Sequence, residues 1–484
     1  MTIARARLAI ASNGLGIAQQ LDLPPAFVGC CSSGTVDTPT LITNPQAILD
    51  TFGRGPLCEA AATFMALAGG PIVLCKATSA AAGAFTGLSG GAVPDPSTAM
   101  GADPMVCTPS GTPRDKYDVR VLVTSPGVTL DAATAVVRIS IDGGVTYGAE
   151  TPVPTSGAVV VPDTGITLTW TDNSNADQLY AGDIYVFGSS APTFDAAGLA
   201  TALAALAQER TTMDHEFVVV VGPVNVITFA TVDTSAQSLK TMLPRWFLTE
   251  ARDQSSGESV ATWKGILEGA SPGFLTATSD FVVVSPCYAT QASRVHAATW
   301  RRPLSWLLAA RLATIPVKQH PGRVKTGALA GIVTLHHDLN TDALRSLDAH
   351  RFIGAQSIQG RDGYYATDRT AAVSSSDFTQ IMRLRVMCFA ARVALNAATD
   401  YLNEDVLTVE GGFIDPTEAD AIDASLTSIA ERELVQTGYV SAISITVSRT
   451  DNVVLTGALT LTLRLRPLGY LTDITFNVSY TLGS

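Results

Sequence analysis

The chain has 484 residues, more than the ~100 to 200 that one hydrophobic core organises, so several domains are expected. Hydrophobic residues make up 46% of it, yet no apolar run approaches the ~18 to 20 residues that cross a bilayer, and charged residues are only 15% against ~25% in ordinary globular domains. That shortage implies a surface partly covered by other protein, and a formal net charge of −12 disfavours nucleic acid and anionic membranes as partners.

The opening stretch, MTIARARLAIASNGLGIAQQ, has two arginines and a short apolar part broken by Ser, Asn and Gly, so no secretory signal is expected and the protein should act where it is made. AFVGCC then reads as a buried strand. Asn44 and Pro45 form an N-cap and first-position pair opening a helix that Gly53 closes, and Pro56 opens a second helix that ends at Gly69 and Gly70. PIVLCKA follows as another buried strand, giving α/β grammar. From about Thr78 to Asp115 the chain is rich in Gly, Ala, Ser and Pro and reads as a linker or extended loop.

Residues 116–188 carry short apolar strands separated by turn signals such as Asp142, Gly143 and Gly144, which predicts a small all-β module inserted on the outer surface of the α/β domain. After Asp195 come an Ala/Leu-rich helix, the strand FVVVV, a helix around SAQSLKTMLPRWFLTEA divided by Pro244, the strand FVVVS, an arginine-bearing helix over 295–312, and ALAGIVTL. Alternation of this kind predicts a largely parallel, doubly wound sheet.

A long amphipathic helix is expected from Ser376, capped by Ser376 or Asp377, and a second from Pro416, with Asp415 as cap, Glu418 completing a capping box and Gly438 as terminator. The last stretch alternates with strand period. Ile443, Ile445 and Val447, then Leu459, Leu461, Leu463 and Leu465, then Ile474, Phe476, Val478 and Tyr480, predict three half-buried antiparallel strands. The last of them is not stable alone and needs a neighbour's sheet. The expected division is an N-terminal arm over 1–24, the α/β core over 25–115 and 191–370, the inserted β domain over 116–190, and a C-terminal α+β domain over 371–484 with exchanged terminal strands.

Chemistry-bearing motifs are few. Gly87-Leu88-Ser89-Gly90-Gly91 fits the G-x-S-x-G pattern of hydrolases but lacks the flanking strand and helix, so a flexible loop is expected. His336, His337 and Asp338 are adjacent and point different ways, which suits a strand-end turn better than a metal site. Asp172, Asn173, Asn175 and Asp177 lack the Gly and closing Glu of an EF-hand loop and read as a solvated hairpin. No phosphate-binding loop or dinucleotide fingerprint is visible, and no catalytic residue, cofactor or metal is assigned. The seven cysteines, without C-x-x-C spacing, are expected to be reduced and buried. Arg301, Arg302, Arg383, Arg385 and Arg392 suit a solvated helix face and inter-subunit ion pairing equally well.

The segment AFVGCCSSGTVDTPTLITNPQAILDTFGRGPLCEAAATFMALAGGPIVLCKA resembles the start of contractile tail sheath proteins, including related injection-system sheaths. The end is similar too: a helix closing into GYVSAISITVS, the strand GALTLTLRLRP, then YLTDITFNVSY. Between them, GALAGIVTLHHDLNTDALRSLDAHRFIGAQSIQGRDGYYATDRTA follows that family's order of elements; the β insertion lies outside the resemblance, and the family's proline-glycine-valine-tyrosine opening is missing.

The resemblance implies a non-enzymatic structural subunit, assembled in a bacterial host's cytoplasm and located in the virion tail or a cellular injection system. It would form a homo-oligomer of stacked hexameric rings around a tail tube protein, meeting baseplate and tail terminator proteins at its ends, with no nucleic acid, membrane insertion or cofactor. Its terminal arms would add strands to neighbours' sheets: Ile474, Phe476, Val478 and Tyr480 donated, with Ile443, Ile445, Val447, Leu459, Leu461, Leu463 and Leu465 in the acceptor sheet. Arg383, Arg385, Arg392, Glu431 and Arg432, on the helices over 377–402 and 417–437, are then candidate tube-facing or inter-subunit charges. A surface-layer or capsid-associated protein, or an α/β hydrolase, are the alternatives.

Overall fold

A computed structural model describes residues 23–87, 104–127, 134–171, 178–208, 213–240 and 243–471. Two units emerge from its contacts, one comprising residues up to 316 together with 321–379 and the other 317–320 with 380 onwards. The division falls after Thr379, later than the expected boundary at 370/371.

The first unit is built on a six-stranded sheet in the order Val282–Ser285, Trp246–Ala251, Phe217–Val224, Ala26–Gly29, Ile72–Lys76, Thr40–Ile42. Every neighbouring pair is parallel except the edge strand Thr40–Ile42. Ala26–Gly29, Trp246–Ala251 and Val282–Ser285 are buried at every position, because helices cover both faces. Pro56–Ala68 packs with Ser305–Thr314, and Ala196–Gln208 packs with Val226–Lys240. The chain leaves Ala26–Gly29 toward Ile72–Lys76 and later returns to its other side, so right-handed crossovers place the two helix pairs on opposite faces.

Local signals explain the helix ends. Asn44 Oδ1 accepts from the Ala47 N–H at 2.9 Å at the start of Pro45–Phe52, and Gly53 closes that helix at φ +71°. Two segments depart from expectation. WFLTEA is the buried strand Trp246–Ala251, not helix, because Pro244 ends the preceding helical run and the β-suited Trp and Phe then enter the sheet. Arg301 and Arg302 lie on the strand Thr299–Pro303, and helix begins only at Ser305.

The β region starts earlier than expected, with Val106–Gly111, a stretch whose prolines and glycines suggested a loop. It forms two antiparallel sheets: Val106–Gly111, Ile166–Thr171 and Ala158–Val161 in one, and Phe85–Thr86, Ile184–Ser189, Asp118–Ser125, Val136–Ser140 and Thr151–Pro152 in the other. Alternating residues, among them Val119, Val121, Leu168, Trp170, Tyr185 and Phe187, fill the core between the sheets. The Tyr185 hydroxyl donates to the Met105 carbonyl at 2.8 Å, satisfying its polar tip.

The second unit contains the helices Ile381–Thr399 and Pro416–Ala430 and the antiparallel pair Ala442–Val447 and Leu461–Arg466. The first helix starts at Ile381 after Gln380, not at a Ser376 or Asp377 cap. The second is capped by Asp415, whose Oδ1 accepts from the Thr417 N–H at 2.8 Å, with Pro416 at its first position. It runs into a π-helical turn, Glu431–Val435, and Gly438 follows at φ +71°. Ile422, Leu426, Leu434, Ile445 and Val447 are buried together in this unit's core. Asp415→Ala is expected to lower this unit's stability by about 1 kcal/mol, read as a lower denaturant midpoint in urea unfolding. No helix among the described residues is long and apolar enough to cross a membrane.

Candidate functional site: sheet edges and a buried ionic junction

In open α/β sheets, chemistry gathers at the carboxyl ends of the parallel strands. Here the acidic and basic groups at that position are taken up by hydrogen bonds and ion pairs within the chain. Glu250, near the end of Trp246–Ala251, is buried; its Oε1 accepts from the Gly222 N–H at 2.7 Å, and its Oε2 accepts from Ser305 Oγ at 2.8 Å and Trp306 Nε1 at 3.1 Å. Just beyond, Arg252 forms a two-point pair with Glu258 at 2.9 and 2.5 Å. Asp253 takes Arg301 at 2.7 Å and Lys116 at 3.3 Å. Arg302 pairs with Asp115 at 2.9 Å, both buried, and its guanidinium lies over the Trp300 ring at 4.3 Å and the Trp306 ring at 5.8 Å.

Asp115 and Lys116 lie in the connection between the sandwich strands Val106–Gly111 and Asp118–Ser125, and Trp300 packs into the sandwich core. The carboxyl ends of the strands are thus filled by an ionic junction that ties the inserted sandwich to the sheet. Arg301 and Arg302 therefore serve intrachain pairs and not a solvated helix face. Sequence periodicity gave no signal for this junction, because Asp115 and Arg302 are 187 residues apart.

Burial pushes the Glu250 carboxyl up from 4.5 to about 7, against the hydrogen bonds from Ser305, Gly222 and Trp306 that hold it down. The native state therefore keeps a proton that the unfolded chain has released. Its stabilising contribution is complete below about pH 4.5 and is lost as pH rises through about 7, a span of roughly 3 kcal/mol. We expect the urea midpoint to fall across that window and Glu250→Gln to flatten the fall; an unchanged slope in the variant would assign it elsewhere.

The histidine cluster is dispersed by its neighbours. His337 is buried and stacked on Trp263 with ring centroids 4.1 Å apart, His336 Nε2 meets Thr290 Oγ1 at 2.8 Å, and Asp338 Oδ1 accepts from the Asn340 and Ser357 N–H groups. Burial first, then Arg301 and His336, push the His337 imidazole down to about 3, so it stays neutral. No group of three metal-ligating side chains occurs among the described residues. All seven cysteines are free thiols and buried. Ser89 with its glycines at 90 and 91, and the group Asp172, Asn173, Asn175 and Asp177, lie outside the described residues.

The remaining candidates are assembly surfaces. Ile474, Phe476, Val478 and Tyr480, the expected donor strand, lie outside the described residues, as does most of the arm over 1–24. The expected acceptor is a two-stranded sheet in which Ile443 faces Leu465, Ile445 faces Leu463 and Val447 faces Leu461. Ile445 and Val447 are buried, Ile443, Leu459, Leu463 and Leu465 half-buried, and Leu461 exposed. The Ser448 N–H donates to the Thr460 carbonyl at 2.8 Å. By the alternation of an antiparallel ladder, the N–H groups of Ile443, Ile445 and Val447 point to the outer side of one strand, and those of Leu461, Leu463 and Leu465 to the outer side of the other.

Those edges differ. On the first, the Val447 N–H donates to Asp423 Oδ1 at 2.6 Å and the Ile445 N–H to Thr427 Oγ1 at 3.4 Å, both from Pro416–Ala430. On the second, no strand among the described residues other than Ala442–Val447 on the inner side pairs with Leu461–Arg466. Of the candidate charges, Glu431 and Arg432 are exposed and Arg383 and Arg392 half-buried. Arg385 is buried, only 1% exposed, and so does not present a surface charge. Helical periodicity placed it among polar positions without revealing which face is covered.

Comparison with known proteins places these features in a known fold. No curated protein matches the chain. Among solved structures, the sheath of an extracellular contractile injection system, the PVC sheath complex in its contracted state, aligns over 99% of this chain and 99% of its own, with TM-score 0.54 and 11% identity. The helical sheath of the anti-feeding prophage in its contracted state aligns over 100% of both chains, with TM-score 0.53 and 11% identity. The sheath tail protein Lin1278 from Listeria innocua aligns over 94% of this chain and 97% of its own, with TM-score 0.49 and 12% identity. The mixed α/β fold is thus that of contractile sheath proteins. Residues 10–370 match the family described as DUF2586, N-terminal domain, and the chain belongs to that family.

Proposed function

We propose that this chain is the structural subunit of a contractile sheath, of a phage tail or a related injection system, which polymerises as stacked hexameric rings around a tail tube. The observation that carries the reading is the small C-terminal sheet, one of whose edges has no strand partner among the described residues while its strands bury an apolar face. The whole-chain likeness in fold to two contracted sheaths supports the same reading.

The donated segment carries Ile474, Phe476, Val478 and Tyr480, which the alternation of that stretch aligns on one face. Strand addition gains main-chain hydrogen bonds together with burial of those side chains. Links of this kind persist while whole subunits rotate, so an extended lattice shortens and widens without dissociating, and the energy released drives the tube forward. The tube protein, the baseplate and the terminator are the partners such an assembly requires. Glu431 and Arg432, exposed on the π-helical turn, are the charges best placed to meet another protein.

Negative-stain microscopy of the purified protein tests the assignment. Striated hollow tubes are expected; flat lattices would indicate a surface-layer protein instead, and monodisperse monomers would reopen the enzyme reading.

A further inference from the structure

We infer that Asp423 and Thr427 close one edge of the C-terminal sheet, so that an incoming strand from a second copy of this chain enters only along Leu461–Arg466. The inference rests on the strand-donation reading and adds to it a direction and the residues that set that direction.

A two-stranded sheet offers two rows of free backbone donors and acceptors, and each is a template for pairing. An assembly that uses one row needs the other closed, or strands add on the wrong side and the lattice branches. In this unit the closure comes from a helix. Asp423 and Thr427 are four apart on Pro416–Ala430, a rise of about 6 Å, while Ile445 and Val447 are two apart on a strand, about 6.8 Å. These spacings match, so one helix face delivers an acceptor to two of the three outward N–H groups: Asp423 Oδ1 to Val447 at 2.6 Å and Thr427 Oγ1 to Ile445 at 3.4 Å. The carboxylate makes the stronger bond, because its acceptor is charged. A strand approaching that edge would have to displace both side chains. Along Leu461–Arg466 the outward N–H groups of Leu461, Leu463 and Leu465 meet no such side chain in the hydrogen bonds of the described residues.

Hydrogen exchange of the full chain, as free subunit and as polymer, reads both edges. In the free subunit we expect the Val447 amide to be already protected, and Asp423→Ala to speed its exchange about tenfold or more, as loss of a hydrogen bond to a charged group implies. Asp423→Asn, which keeps an oxygen acceptor, should restore most of the protection. On polymerisation, Leu461, Leu463 and Leu465 should become protected while Val447 changes little. Polymers of Asp423→Ala should show branched or irregular forms by microscopy. Protection gained instead along Ile443, Ile445 and Val447 in the wild-type polymer would overturn the edge assignment while leaving strand donation intact. Protection gained at neither edge would overturn strand donation itself. Ordered, unbranched Asp423→Ala polymers with protection only at Leu461–Arg466 would remove the guarding role.

Discussion

Removing residues 472–484 is expected to leave a folded subunit that forms no tubes. The described part of the second unit has its own core, in which Ile422, Leu426, Leu434, Ile445 and Val447 are buried together. What the truncation takes away is the segment carrying Ile474, Phe476, Val478 and Tyr480. Fully buried in a neighbour, each is worth ~1.5 to 3 kcal/mol before the cost of ordering a strand. The ordering of backbone and side chains offsets part of that gain. On the strand-donation reading, a surplus repeated at every subunit would still decide between polymer and monomer. Sedimentation and circular dichroism of the truncated chain, beside the full chain, supply the comparison. Tubes of normal diameter from the truncated chain would show that the terminal strand is not the tether; an unfolded spectrum would show that it belongs to the subunit's own core.

The second large effect is expected at the ionic junction. Arg302→Ala leaves the Asp115 carboxylate buried without its partner at 2.9 Å and empties the space between Trp300 and Trp306. Breaking a buried pair from one side costs about 3 to 5 kcal/mol, far more than an exposed pair contributes. The pair joins the sandwich to the sheet, so the variant should lose stability in the first unit and expose the sandwich linkers to protease. Urea unfolding followed by tryptophan fluorescence measures the first effect, and limited proteolysis the second. Replacing both partners, Arg302→Met with Asp115→Leu, should recover most of the loss, because no charge is then stranded. A change below about 1 kcal/mol for Arg302→Ala would mean that water reaches the site and that the junction does not hold the sandwich.

Local signals in the sequence were legible wherever a single turn of chain decides the outcome. Asn44 with Pro45, Asp415 with Pro416, and the glycines at 53, 69 and 438 mark helix ends that the structure contains, since capping depends on residues within one turn. The continuous apolar strands were legible because burial on both faces removes polar residues. Trp246–Ala251 was not, because a short apolar run after Pro244 suits a buried helix as well as a strand, and only its neighbours at Phe217–Val224 and Val282–Ser285 decide. Val106–Gly111 escaped for a related reason: its proline and glycine are acceptable in an edge strand that pairs on one side with Ile166–Thr171.

In the C-terminal sheet, alternation in 443–447 and 459–465 anticipated the antiparallel pair, and the structure supplies its register. Nothing in the sequence distinguishes the two edges of that pair. Asp423 and Thr427 read as ordinary polar positions of an amphipathic helix, and their role emerges only when the helix lies beside Ile445 and Val447. The ionic junction was hidden likewise, since Asp115, Glu250 and Arg302 come from distant parts of the chain.

A helical reconstruction of the assembled protein by electron cryomicroscopy bears most directly on the central claim. The account predicts, beside Leu461–Arg466 of each subunit, an added strand traceable to residues 472–484 of another copy. A polymer in which every C-terminal sheet contains only strands of its own chain would contradict it.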